Sequence, residues 1–123
     1  MVSLWKKQFS ELIRLPHVFI VEGSVNMIEY KDENNQLHRP SYLGPASFWY
    51  CIDGHVFLST YYNEGKRHRL PNLSEPNVNG GPAWTQYLYS EVNGDIICSS
   101  EINRYWINNV NYEEDQYKSI IKN

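Results

Sequence analysis

Asn34-Asn35-Gln36-Leu37-His38-Arg39, followed by Gly44-Pro45-Ala46, returns further along the chain as Glu64-Gly65-Lys66-Arg67-His68-Arg69, followed by Gly81-Pro82-Ala83. Two uncommon strings recur in the same order. Such an internal repeat implies a stack of similar units, each covering its neighbour. The residues around the second copy define the unit. Phe48 to Ile52 reads as a strand, Asp53-Gly54 as a hairpin turn and His55 to Tyr62 as the return strand. Asn63-Glu64-Gly65 supplies another turn, and Lys66 to Arg69 a short strand. Gly-Pro-Ala reads as the corner between hairpins. Glycine permits a positive φ, proline fixes the next φ, and alanine lets the following strand approach closely.

The same pattern extends in both directions. Val18 to Val21 and Val25 to Tyr30 form an earlier strand pair broken at Gly23. Ala83 to Tyr89 turns at Asn93-Gly94 and returns from Asp95 to Cys98. Tyr105-Trp106-Ile107-Asn108-Asn109 then aligns with Tyr61-Tyr62-Asn63-Glu64-Gly65, and Tyr112-Glu113 falls where His-Arg stands in the other copies. A last copy has no neighbour to receive the signature, so its loss there is expected.

The expected fold is therefore mainly β: an antiparallel sheet of about three stacked β-hairpin repeats in a single domain over 1–123. The units cover 17–46, 47–83 and a degenerate 84–111. A short helix is expected at each end. Over 1–15, Leu4, Trp5, Phe9, Leu12 and Ile13 recur at helical spacing. Over 112–122, Asn111 and Glu114 stand as in a capping box, and Tyr117, Ile120 and Ile121 share a face.

These strings resemble a hairpin-repeat family with the pattern Tyr-Tyr-x-Asn-Gly-Lys-x-His-Arg-x-x-Gly-Pro-Ala. The family occurs in proteins of large DNA viruses and some bacteria. It looks related to MORN repeats and to bacterial antitoxin-like proteins. Tyr61 to Arg69 and the two Gly-Pro-Ala strings carry the resemblance, which covers roughly Tyr30 to Asn111. The chain departs from the pattern in its spacer after His-Arg, which has four residues in the first copy and eleven in the second. The resemblance implies a scaffold role and no known active site.

Composition narrows the function. The formal net charge of −3 gives no global basic field for nucleic acid. No apolar run reaches the length of a membrane span, and the charged residues among Met1 to Ile13 do not read as a signal peptide. The two cysteines, Cys51 and Cys98, sit in strand-like runs and are expected as buried, reduced thiols of a cytoplasmic protein, in the host cytoplasm if the protein is viral.

Four residues could carry chemistry. His38, Arg39, His68 and Arg69 could cleave a phosphodiester, with one histidine as base, the other as acid and the arginines clamping the phosphate. The competing reading is structural: equivalent His and Arg side chains hydrogen-bonding the next hairpin. A repeated motif answers a repeated structural need, so the structural reading is preferred and no catalytic residue is assigned. Lys66 to Arg69 beside Tyr61-Tyr62 could contact a phosphate backbone weakly. No metal site or cofactor is expected, since the histidines lack ligand spacing and no Gly-rich phosphate loop is present.

The preferred function is a non-catalytic scaffold that binds another protein, as an inhibitor of a host factor or an antitoxin or immunity protein. Its expected contact residues are Tyr61 and Tyr62 on the sheet and Asn72, Leu73, Asn77, Val78 and Asn79 in the long loop. Such a loop is a usual place for recognition.

Overall fold

The computed structural model describes residues 15–71 and 80–121. The helix expected over 1–15 lies outside them, apart from the irregular Leu15, and so do the loop residues 72–79. The described chain is mainly β, with one short helix near its C-terminal end. Its strands are β1 (His17–Val21), β2 (Ser24–Glu29), β3 (Ser47–Tyr50), β4 (Val56–Thr60), β5 (Tyr62–Asn63), β6 (Lys66–Arg67), β7 (Trp84–Val92), β8 (Asp95–Ile107) and β9 (Val110–Tyr112), followed by α1 (Glu114–Ile121).

Tight turns explain the hairpins. At Glu22-Gly23, Glu64-Gly65, Asn93-Gly94 and Asn108-Asn109, both central residues have positive φ. That is the type I′ geometry whose twist matches paired strands. β1–β2, β3–β4 and β7–β8 are antiparallel hairpins, joined side by side in the order β1-β2-β3-β4-β7-β8-β9. A second set of short hairpins follows: the Lys31–Leu37 bridge, the β5–β6 pair, and the end of β8 with β9.

Register runs straight across the sheet. Phe19, Met27, Trp49, Leu58, Gln86 and Ile102 are successive partners and form one transverse row. Val18, Ile28, Phe48, Ser59, Thr85 and Asn103 form the adjacent row. Neighbouring residues of a strand point to opposite faces, so the two rows lie on opposite sides. Among the described residues the buried ones are small: Ala46, Ala83, Ser47, Ser59, Thr60 and Thr85, joined by Tyr117. Close backbone approach at the corners thus makes the core. Much of the sheet's aliphatic surface stays exposed.

Two expectations are corrected. The C-terminal helix starts at Glu114, not 112, because Tyr112 is paired in β9 with Tyr105. The capping pair is Glu113 and Gln116: the Gln116 side chain accepts the Glu113 N–H at 3.1 Å, the reciprocal half of a capping box. Within the helix Tyr117 is buried and Ile120 is 41% exposed, so the packed face is narrower than the apolar spacing suggests. The cysteines are free, but Cys51 is only half-buried and Cys98 is exposed. Cys98 lies in the part of the β7–β8 hairpin that extends beyond its pairing with β4, where no strand among the described residues flanks it.

Candidate functional site: the His-Arg pairs and the sheet face

The two His-Arg pairs make matching contacts. The His38 N–H donates to Tyr30 O at 2.9 Å, and the His68 N–H to Tyr61 O at 3.1 Å. Each arginine N–H reaches the next hairpin: Arg39 to Tyr62 O at 3.2 Å, and Arg69 to Trp106 O at 3.1 Å. Each guanidinium lies over a tyrosine ring, Arg39 over Tyr30 at 3.9 Å and Arg69 over Tyr61 at 4.1 Å. Each also donates through Nη1 to the proline carbonyl of the following corner, Pro45 at 3.2 Å and Pro82 at 3.1 Å. The corner glycines explain themselves. Gly44 and Gly81 have φ of 118° and 132°, and a Cβ at either would meet the arginine Nη1 at 3.2 or 3.0 Å. Positive φ and the guanidinium both demand glycine there.

The imidazoles complete the pattern. Glu64 N–H donates to His38 Nδ1 and Asn108 N–H to His68 Nδ1, both at 3.0 Å. Each Nδ1 is therefore an acceptor, so each neutral ring carries its proton on Nε2. This has a chemical consequence. The lone pair that a neutral histidine would use as a general base is already engaged by a backbone amide. Arg39 and His68 do line one small cavity of about 170 Å³, with Tyr62 and Asn63, whereas His38 and Arg69 are not among its lining residues. The four residues do not share the wall of this cavity.

Burial depresses the basicity of His68 below the ordinary histidine value of 6.5. The unfolded chain therefore takes up the proton first as pH falls. His68 contributes full stability above 6.5 and loses it as pH drops toward its folded value. Asp53, held low by hydrogen bonds from the His55 backbone and ring, and Glu114, held low by Lys118, act only further down in the carboxylate range. Urea midpoints should thus be level above the histidine range and fall on mild acidification. His68→Asn keeps an acceptor oxygen near the Nδ1 position without a titrating ring, and should flatten that fall. An unchanged slope in the variant would remove His68 as its cause.

Arg67, in the same basic run, also sits on a ring. Arg67 lies 5.0 Å from the Trp106 centroid, and its N–H donates to Asn109 Oδ1 at 2.8 Å. Tyr61 and Tyr62 are half-buried, Tyr61 as the platform for Arg69. The proposed loop contacts Asn72, Leu73, Asn77, Val78 and Asn79 lie outside the described residues. No group of three His, Cys, Asp or Glu side chains among the described residues could hold a metal ion. No helix among them is long and apolar enough to cross a membrane.

Sequence reasoning missed the sheet row. Phe19, Trp49 and Ile102 remain 41%, 37% and 39% exposed on one face, with Met27, Leu58 and the polar Gln86 half-buried between them. Each is an ordinary strand residue on its own, and only the register unites them. Comparison with family models, with curated proteins and with solved structures finds no match to this chain.

Proposed function

We propose that this protein is a non-catalytic hairpin-repeat scaffold that binds another protein through one face of its sheet. The observation that carries the reading is the apolar run Phe19, Met27, Trp49 and Leu58 of the transverse row, with Ile102 beyond Gln86. An exposed apolar row with an aromatic centre, set on rigid paired strands, has the makings of a binding hot spot. The engagement of both histidine Nδ1 atoms supports the same reading against a hydrolase. The resemblance to MORN-like and antitoxin-like repeats supports the scaffold role, and the acidic net charge of −3 suits an inhibitor, antitoxin or immunity protein. The free Cys51 and Cys98 suit a reducing compartment such as the cytoplasm.

Affinity capture with wild-type protein and with Trp49→Ala, followed by titration of the recovered partner, tests this. The variant should keep its circular dichroism spectrum and bind at least about tenfold more weakly, a loss of about 1.4 kcal/mol. Equal affinity would move the binding surface off this face.

A further inference from the structure

The small cavity between the first two units has a donor-rich lining. Arg39 and Ser41 of the first unit face Tyr62, Asn63 and His68 of the second, all five half-buried. None of them belongs to the apolar row, and among the described residues no carboxylate lines the cavity. His68 accepts the Asn108 N–H at Nδ1, so its other nitrogen, Nε2, presents an N–H. Arg39 donates to Pro45 O through Nη1, and its Nε and Nη2 have no acceptor among the described residues.

The repeat itself shows that stacking does not require this lining. At the junction of the second and third units, Ser41 corresponds to Pro71, Asn63 to Ile107 and His68 to Tyr112. Hairpins stack there with the arginine alone retained, so the hydroxyl, amide and imidazole N–H at the first junction are additions to the scaffold. Size bounds what they can hold. About 170 Å³ lies below the range of about 300–1,000 Å³ for sites of drug-sized ligands, and holds the liquid volume of about six waters.

We propose that this cavity binds a small tetrahedral oxyanion of the phosphate class. Arg39 supplies the positive charge and charge-assisted hydrogen bonds, and Ser41, Asn63 and the His68 Nε2–H donate to the remaining oxygens. Donors on two opposed walls suit a tetrahedral ion better than a planar carboxylate. Burial lowers the His68 pKa, so the ring is neutral at pH 7 and acts there as a donor, with no charge of its own.

Isothermal titration of the full chain with inorganic phosphate, at neutral pH and with ionic strength held by chloride, tests the proposal. Phosphate should form a one-to-one complex with a Kd of about 1 mM or tighter. Acetate should bind at least tenfold more weakly. Ser41→Ala/Asn63→Ile removes two donors, using at position 63 the side chain that the third unit already carries, and should weaken phosphate at least tenfold. O-phosphoserine separates the two sources of the ligand: equal affinity identifies a phosphate group on a larger molecule, and exclusion identifies the free ion. No saturable phosphate binding, equal binding of acetate, or undiminished affinity in the double variant would each overturn the proposal. If the variant does not fold, NMR of the wild type decides. Phosphate must shift the His68 Nε2 and Arg39 Nε signals while leaving those of His38 and Arg69 in place, and uniform or absent shifts refute the site.

Discussion

Replacing Tyr117 by alanine is expected to lower stability by about 3–5 kcal/mol, the cost of deleting a large buried aromatic side chain. Tyr117 is 1% exposed and is the largest fully buried side chain among the described residues. Its ring meets that of Tyr105 at 5.0 Å between centroids, tilted by 42°, and Tyr105 is third in the series whose first two tyrosines, Tyr30 and Tyr61, carry arginines. Its hydroxyl donates to Arg69 O at 2.5 Å and accepts the Gly81 N–H at 3.1 Å. The helix thus supplies to Tyr105 the ring contact that Arg39 and Arg69 supply to Tyr30 and Tyr61. Tyr117→Phe retains the ring and should cost only about 1–3 kcal/mol for the unsatisfied backbone groups. Urea denaturation followed by circular dichroism measures both. A loss below about 1 kcal/mol for the alanine variant would match an ordinary surface change and would make the helix an appendage rather than a cap.

Arg39→Ala and Arg69→Ala should each cost about 1–3 kcal/mol, mostly through the corner carbonyl left without its charged donor. Loss of the guanidinium–tyrosine contacts adds to this, by about 0.5–1 kcal/mol at partly exposed sites. Lysine should not rescue either position, because it lacks the planar fork that lies on the ring while donating sideways. Chemical denaturation of the single and double variants gives the values directly. Unchanged midpoints in both single variants would mean that the matching contacts hold nothing together.

The turns and the mainly β fold were legible because their chemistry is local. Asn93-Gly94 and Glu64-Gly65 declare hairpins on their own, and Gly-Pro-Ala marks a corner. The length of β8 was not legible. Its run through Ser99-Ser100-Glu101-Ile102-Asn103 is exposed on both faces, so no burial imposes an alternating pattern. The same lack of cover leaves Cys98 exposed in a sequence that looks like a buried strand. The helix start was misplaced by two residues because Asn111-x-x-Glu114 and Glu113-x-x-Gln116 both resemble capping signals, and pairing of Tyr112 with Tyr105 decides between them.

For the site, the recurrence of His-Arg pointed to equivalent contacts but could not supply their partners. The acceptors on Tyr62, Trp106, Pro45 and Pro82 lie in other parts of the chain. The apolar row depended on register between hairpins that are far apart in sequence. A one-residue slip would have sent Trp49 to the other face.

The central claim separates what holds the sheet together from what it binds with. The most direct test measures thermal stability and partner affinity side by side in Arg69→Ala and Trp49→Ala, using the partner recovered by capture. Arg69→Ala should melt earlier while its folded fraction binds normally, and Trp49→Ala should bind weakly while keeping its folded spectrum. Full stability with abolished binding or activity in Arg69→Ala, together with unaltered affinity in Trp49→Ala, would contradict the account.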